Sequence, residues 1–198
     1  MVSEIDNIRQ ALTQPGGASS DFDLNPDIKL PEGRVLRPAA VLVPLIYRED
    51  ALHLILTKRA SHLKHHPGQI AFPGGKIDQG DAGPEDAALR EAWEEIGLPR
   101  DAAQILGMMP PHETVTSYSV TPVVSLIDRD FDVQPELGEV EEVFTVPFEH
   151  VSNPAQFSHQ GRIWQGRMRH YETVPYGPYY IWGATARILR ALATRLSQ

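Results

Sequence analysis

Apolar and polar residues are arranged along the chain in a pattern that predicts a mixed α/β domain. Short apolar runs separated by turn residues indicate strands at 39–47, 52–57, 69–72, 104–109, 119–127, 143–146, 161–171 and 179–182. A first principal helix is predicted from Pro84, which suits a first helical position, to Ile96, with Gly97 as C-cap. A second starts near Gly183, where apolar residues recur every four positions.

The first 33 residues differ from the rest because they are rich in Gly, Pro, Ser and Asp, and only residues 8–12 predict a short helix. We therefore divide the chain into a partly ordered N-terminal arm, 1–33, and one domain, 34–198. No apolar run approaches the roughly 18 residues of a membrane span, and the N-terminus lacks the order of a secretory signal. These features predict a cytoplasmic protein with no membrane partner.

The net charge and the absence of cysteine exclude several classes of function. A net charge of −8 argues against nucleic-acid binding, which needs a basic face. With no cysteine, thiolate zinc sites and cysteine nucleophiles are excluded. A phosphate-bearing substrate remains compatible, because carboxylates that hold a divalent cation present a positive centre to an anion.

Three glutamates crowd one side of the first helix. Glu91 and Glu95 are four residues apart and Glu94 is three from Glu91, so the carboxylates repel one another by a few tenths of a kcal/mol per pair, about what like charges cost at this spacing. They adjoin an apolar arc formed by Ala88, Leu89, Ala92, Trp93 and Ile96. A solvated acidic face is the ordinary explanation. A bound Mg²⁺ or Mn²⁺ would relieve the repulsion.

The sequence around this helix resembles the Nudix box. The run from Arg90 to Leu98, Arg-Glu-Ala-Trp-Glu-Glu-Ile-Gly-Leu, matches the second half of the family pattern at every specified position. In the first half, Asp81 stands where Glu is usual, and the spacing from Gly75 to Arg90 is one residue longer than the pattern. The resemblance implies an α/β/α sandwich with a mixed β-sheet and a loop-helix-loop catalytic motif.

Flanking runs resemble one branch of that family, the coenzyme A pyrophosphatases. Residues 56–75, 115–124 and 181–186 are similar to its additional motifs, so the resemblance covers roughly 39–192. It implies hydrolysis of the pyrophosphate linkage of coenzyme A or acyl-CoA, giving 3′,5′-ADP and 4′-phosphopantetheine or its acyl form. The implied cofactor is Mg²⁺ or Mn²⁺ and the implied partner is this small molecule. The oligomeric state is left open, a homodimer included.

The resemblance also assigns roles to acidic and basic side chains. Glu91 and Glu95 are implied metal ligands, and Glu94 is a ligand or a helper of the general base. Arg90 is implied to orient a ligand carboxylate within the catalytic set, against the alternative of an ordinary exposed helix arginine. Glu139 is the preferred further catalytic acid, although acidic runs such as 139–142 more often form solvated loops.

Substrate contacts are expected from the segment before the helix. Gly74 and Gly75 let the backbone approach phosphates closely, or simply form a turn. Asp78 and Asp81 either hold a metal through water or shape the loop. The candidate anion clamp for the 3′-phosphate of coenzyme A, with surface charge as the equal alternative, consists of Lys58, Arg59, Lys64, His65 and His66.

Three other functions compete with this one. The same fold could hydrolyse ADP-ribose or another nucleoside diphosphate derivative. An isopentenyl-diphosphate isomerase relies on a cysteine, which this chain lacks. A non-catalytic Nudix-like ligand sensor usually loses the metal carboxylates, whereas all three are present here.

Overall fold

The computed structural model describes residues 3–28, 30, 33–164 and 166–198. Within these ranges the α-helices are α1 (Glu4–Thr13), α2 (Pro84–Ile96), α3 (Phe148–Ser152) and α4 (Ala184–Leu196). Short 3₁₀ turns occur at Arg100–Ala102 and Pro154–Gln156. The strands are β1 (Ser19–Ser20), β2 (Arg37–Arg48), β3 (Ala51–Arg59), β4 (Ile70–Ala71), β5 (Gly74–Lys76), β6 (Ala103–Met108), β7 (His112–Glu113), β8 (Tyr118–Ile127), β9 (Val140–Pro147), β10 (Ser158–Trp164) and β11 (Arg167–Thr173).

The strands form a nine-stranded mixed sheet and a two-stranded hairpin. The main path through the sheet runs β1-β7-β8-β2-β3-β4, with β5, β6 and β9 paired to β2, β8 and β3. At its centre, β2 runs parallel to β8 and antiparallel to β3. The antiparallel pair β10–β11 forms the hairpin.

Alternate residues of β2 face two different cores, as the period of a strand requires. Leu42 and Ile46 join the cluster that contains the buried alanines of α2. Val43 and Leu45 join the other cluster, which also contains buried residues of α1, α3 and α4. The sheet therefore lies between two helical layers, and the predicted α/β/α sandwich is confirmed.

Two strand predictions near the C-terminus are wrong. The run 161–171 is not one strand, because Gly166 adopts the left-handed conformation (φ 74°) in the turn between β10 and β11. Residues 179–182 form no strand, only isolated bridges from Tyr179 to Tyr176 and from Trp182 to Thr173. The aromatic residues there supply β propensity without a continuous partner strand.

Helix α2 has the predicted bounds and ends at Gly97, which is left-handed (φ 72°) as a C-cap often is. The prediction is wrong for one residue of the apolar arc, because Trp93 is 55% exposed rather than buried. Ala87 is buried instead. Small side chains on the buried face allow α2 to lie close to β2.

The N-terminal segment packs on the domain. Ile8 of α1 is buried in the core, and the Arg195 guanidinium of α4 donates to the backbone oxygens of Ala11 and Gln14. The Asn25 side chain exchanges two 2.8 Å hydrogen bonds with the backbone of His170. The boundary at residue 33 stays a prediction. No helix in the described ranges is both long and apolar enough to cross a membrane.

Candidate active site

Two glycines allow α2, the helix that carries the three glutamates, to pack against the sheet. Gly74 and Gly75 lie opposite Val41 and Ala40 in the pairing of β5 with β2. Gly74 has φ 156°, and a Cβ there would lie 2.5 Å from the Ala40 carbonyl oxygen. A Cβ on Gly75 would lie 2.6 Å from Cδ of Glu91. Any side chain at either position would therefore push the strand from the sheet or displace Glu91.

Glu95 is an acid inside the fold. It is only 5% exposed, and its Oε2 accepts a 3.1 Å hydrogen bond from the Gly74 amide. Burial raises the pKa of Glu95 to about 8, and the charges of Glu91 and Glu139 act in the same direction. The Gly74 hydrogen bond and the charge of Arg59 oppose this shift. A carboxylate at this position is unfavourable unless a cation stabilises it.

Glu91 lies beside it and is half-buried. Burial raises the pKa of Glu91, and the charges of Glu94 and Glu139 raise it further, while Arg90 acts in the opposite direction. Glu94 is the most solvent-accessible of the three helix acids, with a side chain 53% exposed. The three carboxylates thus range from buried to exposed along one side of α2.

Arg90 joins the loop before α2 to these acids. Its Nε and one terminal nitrogen donate to both carboxylate oxygens of Asp81, at 2.9 and 3.0 Å. The other terminal nitrogen donates at 3.0 Å to Glu91 and to Glu94. A further bond of 3.1 Å reaches the Lys76 carbonyl. The guanidinium therefore holds the two acids in place.

Asp81 is the counterpart of Arg90 in the loop. Its side chain is 3% exposed, and the hydrogen bonds from Arg90 hold the pKa of Asp81 at about 2, with help from the Asp78 amide. Asp78 itself is 3.7 Å from Arg90 and largely exposed. Of the two interpretations of Asp81, this geometry supports shaping of the loop.

Glu139 directly precedes β9 and is exposed. Its charge is close enough to raise the pKa of both Glu91 and Glu95. Its neighbours Glu141 and Glu142 are hydrogen-bonded to other side chains. Glu139 is therefore the member of this acidic run whose charge acts on the helix acids.

The donor set suits a hard divalent cation, because it combines carboxylate oxygens whose pKa values are raised by burial and mutual repulsion. In the part of the chain that the structure describes, no group of three or more His, Asp or Glu side chains is arranged as a complete metal site. Arg90 contacts one carboxylate oxygen of Glu91 and one of Glu94, each at 3.0 Å. A cation at this position would compete with Arg90 for their oxygens.

The predicted basic cluster is divided between two places. Lys58 forms a 2.6 Å ion pair with Glu141. A large cavity shares Gly74 with the site of the helix glutamates, and Lys58 does not line it. Arg59, the next residue of β3, does line this cavity. Further lining residues from the same segment are Lys64, His65, His66, Gln69, Phe72 and Gly74.

This cavity has a volume of about 890 Å³, and most of its walls were not predicted residue by residue. The N-terminal segment contributes Phe22 and Asn25, and the β10–β11 hairpin contributes Arg162 and Arg169. Trp182 and the first turn of α4 close another side. The only sequence signal for these walls was the resemblance of the runs 115–124 and 181–186 to branch motifs.

The fold and the acidic helix together define the class of protein. The family model of the NUDIX domain matches residues 36–165, more than half of the chain. The chain therefore belongs to the NUDIX family, and it is a Nudix hydrolase.

Two relatives agree with this assignment. The uncharacterized Nudix hydrolase NudL of Enterobacter sp. (strain 638) is 41% identical over 168 residues, 81% of this chain and 83% of the relative. NudL of Escherichia coli (strain K12) is 42% identical over 166 residues, with the same coverage.

Two solved structures support the fold alone. The Nudix hydrolase RenU from M. smegmatis has a TM-score of 0.51 at 23% identity and covers 62% of this chain and 83% of its own. A MutT/nudix family protein from Enterococcus faecalis has a TM-score of 0.52 at 19% identity, covering 100% of this chain and 75% of its own. The comparisons do not support the homodimer.

Proposed function

We propose that this Nudix hydrolase cleaves the pyrophosphate linkage of coenzyme A or acyl-CoA and releases 3′,5′-ADP and 4′-phosphopantetheine or its acyl form. The observation that carries the proposal is the cavity of about 890 Å³ that shares Gly74 with the acidic site and has basic walls. It offers room for a substrate that is large and carries an anionic group besides its pyrophosphate. The cytoplasmic location remains a prediction.

Nudix hydrolases generally use divalent metal ions such as Mg²⁺ or Mn²⁺. We propose Glu91, Glu95 and Glu94 as the side chains that hold the ion, because their charges lie close together and burial disfavours Glu95 without a cation. When bound, the ion would neutralise the pyrophosphate oxygens and lower the pKa of the attacking water.

The remaining steps fall to side chains of this chain. Arg90 keeps Glu91 and Glu94 in position, and Glu139 or Glu94, both exposed, accepts the proton of the attacking water. The water oxygen forms a bond to one phosphorus, the bridging P–O bond breaks, and its electron pair leaves with the other phosphate. We propose that Arg59 and the backbone of Gly74 and Gly75 contact the pyrophosphate, because Arg59 and Gly74 line the cavity; Lys64 and His66 line the same cavity.

A substrate panel tests the proposal. Coenzyme A, ADP-ribose and NADH are each incubated with the protein and Mg²⁺ or Mn²⁺, and products are identified by mass spectrometry. Coenzyme A is expected to give the highest kcat/KM and the two named products. A preference for ADP-ribose would favour the nucleoside diphosphate alternative, and no turnover of any substrate with either metal would favour the ligand sensor.

Arg90→Lys is expected to lower kcat/KM by roughly 10- to 100-fold and to raise the metal concentration needed for half-maximal activity, as loss of a group that orients ligands does. Lysine keeps the charge but cannot donate to Asp81, Glu91 and Glu94 at once. Arg100→Lys is the matched control, because Arg100 also bonds an acid of α2, Asp86, away from the three glutamates. Equal effects in the two variants would contradict the positioning role.

A further inference from the structure

Two arginines face each other across the β10–β11 hairpin. Arg162 and Arg169 are directly opposite in the antiparallel register, and both line the large cavity. The Arg162 guanidinium lies 4.8 Å from the centre of the Trp182 ring, another cavity residue. The pair thus adds two positive charges to one wall.

In the part of the chain that the structure describes, most charged side chains that line the cavity are cationic. Among the described residues, Asp21 is the carboxylate in the lining, and it already accepts a 2.9 Å hydrogen bond from the Val115 amide and contacts His112 at 3.1 Å. The formally positive side chains in the lining are Arg59, Lys64, Arg162 and Arg169. In a chain of net charge −8, this concentration of cations points to an anionic ligand.

The cations do not all serve the same part of the cavity. Arg59 lies on the side of the acidic helix, since it pairs with Val140 next to Glu139 and lines the cavity together with Gly74, whose amide donates to Glu95. Arg162 lies on the hairpin over Trp182. A ligand that contacts both places needs two separate anionic groups, one close to the helix acids and one at the hairpin.

We propose that Arg162 and Arg169 bind a phosphate monoester of the substrate, distinct from the pyrophosphate that is hydrolysed. Guanidinium groups suit this task because their donors pair with phosphate oxygens in a bidentate way. The proposal rests on the proposed function for the identity of the substrate, in which this group is the 3′-phosphate of coenzyme A. It moves the anion clamp from the segment 58–66, where Lys58 is paired with Glu141, to the hairpin.

Kinetics with coenzyme A and dephospho-coenzyme A provide the first test, because the two substrates differ only in the 3′-phosphate. Arg162→Gln with Arg169→Gln is expected to raise the KM for coenzyme A by about tenfold or more, the loss typical of charge-assisted hydrogen bonds, and to change that for dephospho-coenzyme A far less. Arg59→Gln is expected to affect both substrates alike. Arg167→Gln is the matched control, since Arg167 is on the same hairpin but does not line the cavity.

Binding of 3′,5′-ADP and AMP, measured by calorimetry without turnover, separates this proposal from the proposed function. The wild-type chain is expected to bind 3′,5′-ADP more tightly than AMP, and the double variant to lose the difference. If coenzyme A is hydrolysed but the difference is absent or survives in the double variant, the hairpin site is wrong and the function stands. If the difference depends on Arg162 and Arg169 but coenzyme A is not hydrolysed, the hairpin site stands and the proposed function is wrong. Should the double variant fail to fold, each single variant is measured in the same way.

Discussion

Glu95→Gln is expected to lower kcat for pyrophosphate hydrolysis by about 10³-fold, the upper range for losing one group that stabilises charge in a reaction, while the protein stays folded. Glu95 is buried, and its one hydrogen bond with the backbone, from the Gly74 amide, can be accepted equally well by the amide oxygen of glutamine. The substitution therefore keeps the shape and removes the negative charge. Turnover of coenzyme A and thermal unfolding of the variant are measured together.

The matched control for this substitution is Glu85→Gln. Glu85 is in the first turn of the same helix and exposed, so its loss changes the net charge equally without touching the site. Normal activity is expected for this control. Near-normal turnover in Glu95→Gln would overturn the assignment of Glu95, whereas loss of activity together with a lowered unfolding temperature would indicate a structural role.

The sheet and the catalytic helix could be predicted because local rules determine them. Pro84 and Gly97 mark the ends of α2, and apolar runs bounded by turn residues mark β2, β3 and β8. Trp93 was misplaced because a helical wheel gives the direction of a side chain but not where the neighbouring surface ends. The short strands β1 and β7 were missed, since two-residue pairings depend on contacts between distant segments rather than on a local pattern.

The cluster of three glutamates on α2 could be predicted from the sequence for the same reason, since helical spacing alone brings Glu91, Glu94 and Glu95 together. The sequence could not predict how these three glutamates differ in burial and in hydrogen bonding. The burial of Glu95 depends on the approach of β5 to β2, and the binding of Arg90 to Asp81 depends on the path of the loop. The cavity is harder still to foresee, because its walls join residues as distant in sequence as Phe22 and Trp182.

The stability of the metal-free protein is expected to fall as the pH rises from about 5 to about 8. Burial raises the pKa of Glu95 from an ordinary value of 4.5 to about 8. Between these values the folded state holds a proton that the unfolded state has released, so the free energy of unfolding decreases with pH, by at most about 1.4 kcal/mol per pH unit for one group. The raised pKa of Glu91 acts in the same direction.

Urea unfolding in EDTA at several pH values measures this effect, with Glu95→Gln as the reference. Other groups contribute slopes of their own, such as His66, whose pKa is lowered by burial, and they are common to both proteins. The difference in free energy of unfolding between wild type and variant therefore isolates Glu95. It is expected to shift in favour of the variant by a few kcal/mol, on the order of the full linkage for one buried acid, as the pH rises to about 8.

Adding Mg²⁺ or Mn²⁺ is expected to restore the stability of the wild type and to leave the variant nearly unchanged. A ligand that binds only the folded state stabilises it, and protons compete with the metal for Glu95, so the stabilisation is expected to be larger at about pH 8 than at about pH 6. A pH-independent difference between the two proteins would show that Glu95 is ionised in the metal-free fold. Equal stabilisation of both by metal would place the ion elsewhere.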